Sequence, residues 1–203
     1  KANADYSSAV CEGLVYGCSK NERIFALDAK TGQKVWETNI GSSFKASPAI
    51  YQDTILLACE NCKLYSLNSK TGCIVWEFIA EDVLLSSPAV GDGIAYLLAG
   101  GRYLYSLDMA KGTKKSDYFI DSSSVSSPVY ANGTLYLGST DGKLYSIELD
   151  IEKNFLQRDR ESITHYILVI EGEAVSSPAV ASGYVLVGTK KGFLYCCSSG
   201  REE

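Results

Sequence analysis

Three observations predict an all-β fold of tandem four-strand units. The four prolines, Pro48, Pro88, Pro128 and Pro178, stand 40, 40 and 50 residues apart. Each lies in one local string: Ala46-Ser47-Pro48-Ala49-Ile50, Ser86-Ser87-Pro88-Ala89-Val90, Ser126-Ser127-Pro128-Val129-Tyr130 and Ser176-Ser177-Pro178-Ala179-Val180. The composition favours short strands and turns over long helices, with 18 Gly and 14 Tyr against 1 Met in 203 residues.

Each unit reads in the same order. The first strand carries the Ser-Pro string, and Ser7-Ser8-Ala9-Val10 supplies its first copy. A turn comes about five residues after each proline, at Asp53, Gly93, Gly133 and Gly183, with Gly13 in the first unit. A second apolar strand follows, as in Thr134-Leu135-Tyr136-Leu137-Gly138. A tight turn such as Asp141-Gly142 leads to the third strand, for example Leu64-Tyr65-Ser66-Leu67 or Leu104-Tyr105-Ser106-Leu107. An acidic or amide residue (Asp28, Asn68, Asp108 or Glu148) then opens a turn. Lys30-Thr31-Gly32 and Lys70-Thr71-Gly72 lead into a fourth strand ending near Trp36 or Trp76.

A period of roughly 40 residues with four antiparallel strands is the mark of a propeller blade, which buries two apolar faces against its neighbours. Proline lacks a backbone donor and belongs on an edge strand, here the innermost one beside the central channel. The prediction is one β-propeller domain over residues 1–203, with blades near 6–44, 45–84, 85–124, 125–174 and 175–203. The fifth unit stops after its third strand. The ring therefore closes loosely with five blades, or the chain is a fragment of a larger propeller that exposes apolar blade faces and self-associates.

The string Ala26-Leu27-Asp28-Ala29-Lys30-Thr31-Gly32-Gln33-Lys34-Val35-Trp36 resembles the tryptophan-docking motif of the pyrroloquinoline-quinone (PQQ) enzyme-type repeat. The resemblance covers essentially the whole chain. It implies that Trp36 and Trp76 pack against the next blade's backbone. Counting back twelve residues from each proline puts Ser116 and Tyr166 at the same position in blades three and four. The same count places ten extra residues within about 150–164, read as a solvated loop or a partner-binding insertion. The family holds quinoprotein dehydrogenases and non-catalytic members, such as barrel-assembly lipoprotein propellers and the C-terminal propeller of beta-alanine-activating enzymes. Catalytic members need PQQ, usually calcium, and an Asp base; no residue here matches those positions.

Candidate chemistry is sparse. Lys plus Arg number 19 and Asp plus Glu 24, so the net charge of −5 disfavours nucleic acid. No apolar run approaches the roughly 20 residues of a membrane span. His165 is the one histidine and reads as structural. Adjacent Cys196 and Cys197 read as packing thiols in a strand, although family dehydrogenases carry a disulfide between adjacent cysteines. Cys59-Glu60-Asn61-Cys62 has redox spacing but falls in a strand-to-strand turn. Cys11, Cys18 and Cys73 are scattered, which suits reduced thiols and a reducing compartment, while family precedent includes the periplasm. Asn132-Gly133-Thr134 reads as a hairpin turn rather than a glycosylation site. Ser47, Ser87, Ser127 and Ser177 read as hydrogen-bonding groups of the blade seams.

The sequence therefore predicts a non-catalytic binding or scaffold module with a protein or interdomain partner and no cofactor or catalytic residue. The alternatives are a PQQ- and calcium-binding, dehydrogenase-like protein and a carbohydrate-binding propeller suggested by the tyrosines.

Overall fold

The computed structural model describes residues 8–120, 126–148, 165–174 and 176–198, with the backbone alone for residues 165–168. Blade 1 comprises β1 (Ala9–Cys11), β2 (Leu14–Ser19), β3 (Arg23–Asp28) and β4 (Lys34–Asn39). Blade 2 comprises β5 (Ala49–Tyr51), β6 (Thr54–Ala58), β7 (Lys63–Asn68) and β8 (Ile74–Ile79). Blade 3 comprises β9 (Ala89–Gly91), β10 (Ile94–Ala99), β11 (Tyr103–Asp108) and β12 (Lys114–Phe119). Blade 4 comprises β13 (Val129–Ala131), β14 (Thr134–Gly138), β15 (Lys143–Glu148) and β16 (His165–Val169). Blade 5 has β17 (Ala179–Ala181), β18 (Tyr184–Gly188) and β19 (Leu194–Ser198). Every sheet is antiparallel with its strands in chain order, and the described residues contain no helix.

Two details differ from the sequence-based expectation. The prolines stand immediately before the innermost strands rather than within them, because each strand begins at the next residue. The fourth strands run on past the tryptophans to Asn39 and Ile79, since Thr38 and Phe78 continue the pairing with Ile24 and Leu64. A bulge in blades 1 to 3 lies opposite the third strand, between Ala26 and Leu27, Ser66 and Leu67, and Ser106 and Leu107. It leaves Val35, Val75 and Lys115 without a register partner. The 150–164 insertion lies outside the described residues.

The first hairpin of each blade is a two-residue turn. In blade 4 Asn132 (φ 49°) and Gly133 (φ 77°) are both left-handed, which matches the twist of the flanking strands. The third-to-fourth turn of blades 1 to 3 is tied by one side-chain oxygen. Oδ1 of Asp28 accepts the amides of Lys30 and Thr31 at 3.1 and 2.7 Å, and Asn68 and Asp108 do the same in blades 2 and 3. The Thr31 amide and hydroxyl hold the Asp28 carboxyl below its usual range.

The core is a series of seams rather than one centre. Tyr16, Cys18, Ile24 and Ala26 of blade 1 meet Ile55, Leu57, Tyr65 and Leu67 of blade 2. Leu56, Ala58 and Leu64 meet Ala95, Leu97, Tyr105 and Leu107 of blade 3. Ile94, Tyr96, Leu98 and Leu104 meet Leu135, Leu137, Tyr145 and Ile147 of blade 4. Tyr136 and Leu144 meet Val185, Val187, Tyr195 and Cys197 of blade 5. Alternate residues of a strand point to opposite faces, so each blade shows one set forward and the other back. Among the described residues no cluster joins blade 5 to blade 1.

Candidate functional surfaces

Three devices bind neighbouring blades. The first is tryptophan docking. Trp36 Nε1–H donates to the Ser69 carbonyl at 2.8 Å, and Trp76 Nε1–H donates to the Met109 carbonyl at 2.9 Å. Each indole covers the next blade's turn glycine. A Cβ on Gly72 would fall 2.7 Å from Cδ2 of Trp36, and one on Gly112 would fall 2.5 Å from Cδ2 of Trp76. Thr38 Oγ1 adds a bond to the Gly72 carbonyl at 2.7 Å.

The second device is a serine ladder. The amides of Ser47, Ser87 and Ser127 donate to Oγ of Ser87, Ser127 and Ser177 at 3.1, 2.9 and 3.0 Å. These serines are seam bonds, as the sequence leads one to expect. The preceding serines turn inward within their own blade: Ser126 Oγ accepts from the Gly138 amide and Ser176 Oγ from the Gly188 amide. Ser86 Oγ is buried without a partner.

The third device joins blades 3 and 4, where blade 3 has no docking tryptophan. Ser116 occupies the docking position there, opposite Ser106. Tyr130 of blade 4 stacks on Tyr96 of blade 3 with centroids 5.6 Å apart and planes 9° apart. The Tyr130 ring fills the space a side chain at Gly91 would need, and its hydroxyl donates to Asp92. Nothing in the repeat columns taken one at a time singles out Tyr130. Its signal is two paired departures, Tyr for Ile or Val at one column and Gly for Tyr or Ala at the next.

The remaining candidates separate. All seven cysteines are free thiols. Cys196 is exposed, whereas Cys197 packs against the blade 4 seam and burial pushes its thiol up. The two side chains lie on opposite faces of the strand. Burial pushes the thiols of Cys18 and Cys59 up to about 12, opposite to the shift a redox motif requires. His165 pairs with Ile147 at the start of β16. Tyr65, Tyr105 and Tyr145 are buried in the seams, so they are packing residues and not a sugar-binding surface.

PQQ carries three carboxylates, and its usual calcium needs clustered oxygen donors. The described residues hold no group of three or more His, Cys, Asp or Glu side chains placed to share a metal ion. A pocket of about 210 Å³ at the seam of blades 4 and 5 is lined by uncharged residues, including Asn132, Thr134, Tyr136 and Ser182. Those donors do not fit the cofactor.

Exposed apolar side chains gather on the outer strand of blade 2. Ile74, Val75 (61 % exposed) and Ile79 (64 %) lie on β8, which pairs with β7 on one side only. Val75 is the bulge residue, which turns it outward.

The sequence profile of outer membrane protein assembly factor BamB matches residues 20–203. No curated protein matches the chain. The crystal structure of BamB from Moraxella catarrhalis superposes with a TM-score of 0.80 at 15 % identity, over 98 % of this chain and 59 % of that one. The computationally designed Ika8 protein superposes with 0.77 at 12 % identity, over 94 % and 57 %. The designed Ika4 protein gives 0.61 at 12 % identity, over 78 % and 92 %. The chain thus spans under two thirds of the length of the first two structures.

Proposed function

The chain belongs to the outer membrane protein assembly factor BamB family of PQQ-like repeat propellers, and on that premise we propose that it is a non-catalytic protein-binding scaffold. The observation that carries this reading is the outer strand β8. It combines a free backbone edge with Ile74, Val75 and Ile79 in water, whereas the other apolar columns of blade 2 are spent on seams. Edge strands of this kind accept a partner's strand, with side-chain contacts supplying selectivity. The partner is another protein or another domain of a parent chain. Its contact needs no cofactor.

The test is binding by the parent protein in its natural extract, compared between the wild type and the V75D/I79D double variant. Both positions are exposed, so the fold should melt within about 0.5 kcal/mol of wild type. Loss of a co-purifying protein with unchanged melting supports the scaffold. Unchanged partner recovery removes β8 from the reading. A rise in melting temperature on adding PQQ with calcium would overturn the non-catalytic assignment itself.

A further inference from the structure

Each seam has a spot beside the first hairpins where two inner-strand residues meet. Between blades 1 and 2 these are Cys11 and Ile50, and between blades 2 and 3 they are Tyr51 and Val90, all packed against their seam cores. Between blades 3 and 4 they are Gly91 and Tyr130, and the Tyr130 ring takes the room that Gly91 leaves. Between blades 4 and 5 they are Ala131 and Val180, and neither is large. The cavity of about 210 Å³ lies at that spot.

Its lining repeats the surroundings of the Tyr130 ring one blade further on. Tyr136 stands at the position of Tyr96, on which Tyr130 stacks. Asn132 stands at the position of Asp92, to which the Tyr130 hydroxyl donates. Tyr136 and Thr134 are buried and form the floor, while Asn132 and Ser182 are exposed at the rim. Two substitutions set this seam apart. Asn132 puts an amide where Asp92 has a carboxylate, so no charged residue lines the cleft. Ala131 adds a methyl where Gly91 has none. A Cβ at Gly91 would strike the Tyr130 ring, so a ring here cannot hang from position 180 in the Tyr130 pose. A ring free of the chain can sit outward of that methyl.

We propose that this cleft binds a small uncharged phenol, which stacks on Tyr136 and donates its hydroxyl to the Asn132 side-chain oxygen. The chain's own Tyr130, held by Tyr96 and Asp92, is the pattern for that occupant. A cavity of about 150 Å³ admits a benzene ring, so a single hydroxylated ring fits. Stacked rings attract beyond their buried area, and an amide oxygen accepts a phenolic proton. A carboxylated ring would lose water here without gaining a cation, because none lines the cleft. The site is separate from β8 and does not depend on the scaffold reading.

The probe is 4-methylphenol, titrated onto the chain and followed by amide chemical shifts in NMR. Toluene has the same shape without the hydroxyl and is the control. The expected result is saturable shifts at residues 131–136 and 180–183, with toluene weaker by about fivefold or more for want of the hydrogen bond. The Ala131→Gly, Val180→Tyr double variant rebuilds the filled seam of blades 3 and 4 and should abolish the response. Should that variant not fold, Asn132→Gly tolerates the left-handed backbone (φ 49°) and removes the amide. The preference for 4-methylphenol over toluene should then vanish. Shifts that do not saturate, equal binding of toluene, a response that survives the double variant, or a preference that survives Asn132→Gly overturns the proposal. Tighter binding of N-acetyltyrosinamide than of 4-methylphenol would give the cleft to a protein's tyrosine side chain and also overturn it.

Discussion

Gly32 and Gly72 form a matched pair for measuring what a docked indole contributes. Both are left-handed turn glycines at the same blade position, with φ of +69° and +72°. Alanine in that region costs about 1–2 kcal/mol from the backbone alone. At Gly32 nothing lies within 4 Å of the new Cβ, so that strain is the whole effect. At Gly72 the Cβ collides with the Trp36 ring, and the indole must leave. Its departure gives up the bond to the Ser69 carbonyl, about 1 kcal/mol net. It also gives up the packing of a half-buried ring, roughly half of the 3–5 kcal/mol typical of a fully buried aromatic. Gly72→Ala should therefore be less stable than Gly32→Ala by about 2.5–3.5 kcal/mol. Equilibrium urea unfolding, followed by far-ultraviolet circular dichroism, reads the difference. In a Trp36→Ala, Thr38→Ala background the excess should disappear, because the ring and the hydroxyl that meet the new Cβ are both gone. Equal losses at the two glycines, or an excess that survives without Trp36 and Thr38, would refute the account of docking.

Other expectations rest on different seams. Trp76→Phe keeps a ring over Gly112 but loses the bond to the Met109 carbonyl, and should cost about 1 kcal/mol in urea melts, well below Trp76→Ala. Ser86→Ala removes an unpartnered buried hydroxyl and should be neutral or stabilising, whereas Ser126→Ala strips the Gly138 amide of its acceptor and should cost about 1–2 kcal/mol. Cys18 and Cys59 have folded thiols raised to about 12 from 9.0, so the unfolded chain ionises first as pH rises. Stability from these thiols is complete below pH 9 and is lost between pH 9 and 12, at up to about 1.4 kcal/mol per pH unit for each. Urea melts at about pH 8 and about pH 10, on either side of the unfolded thiol's titration, should show a drop that the Cys18→Ala, Cys59→Ala double variant lacks. An equal drop in that variant would assign it to other groups.

The blade pattern is legible in the sequence because each strand and turn recurs. Repetition locates the strands, the docking tryptophans, the seam serines and the Asn132-Gly133 turn from columns alone. It misplaces the prolines by one residue and ends the fourth strands early, since pairing past Trp36 and Trp76 depends on partners such as Ile24 and Leu64 across the sheet. Tyr130 escapes it because the meaning of that residue is relational: its ring fills the space over Gly91, a residue of another blade. The uncovered turn at Gly32 is invisible for the same reason. Its sequence equals that of the filled turn at Gly72 in Lys-Thr-Gly, and only the neighbour's position separates them. The exposed face of β8 needs the bulge, which turns Val75 outward from an otherwise ordinary strand.

Site-specific photo-crosslinking in the parent organism tests the scaffold reading most directly. A photoreactive phenylalanine analogue replaces Ile79 on β8 and, in a second strain, Lys115 on the outer strand of blade 3. The account predicts a discrete protein adduct from position 79 and none from position 115. Adducts of equal strength from both positions, or none from position 79, would contradict it.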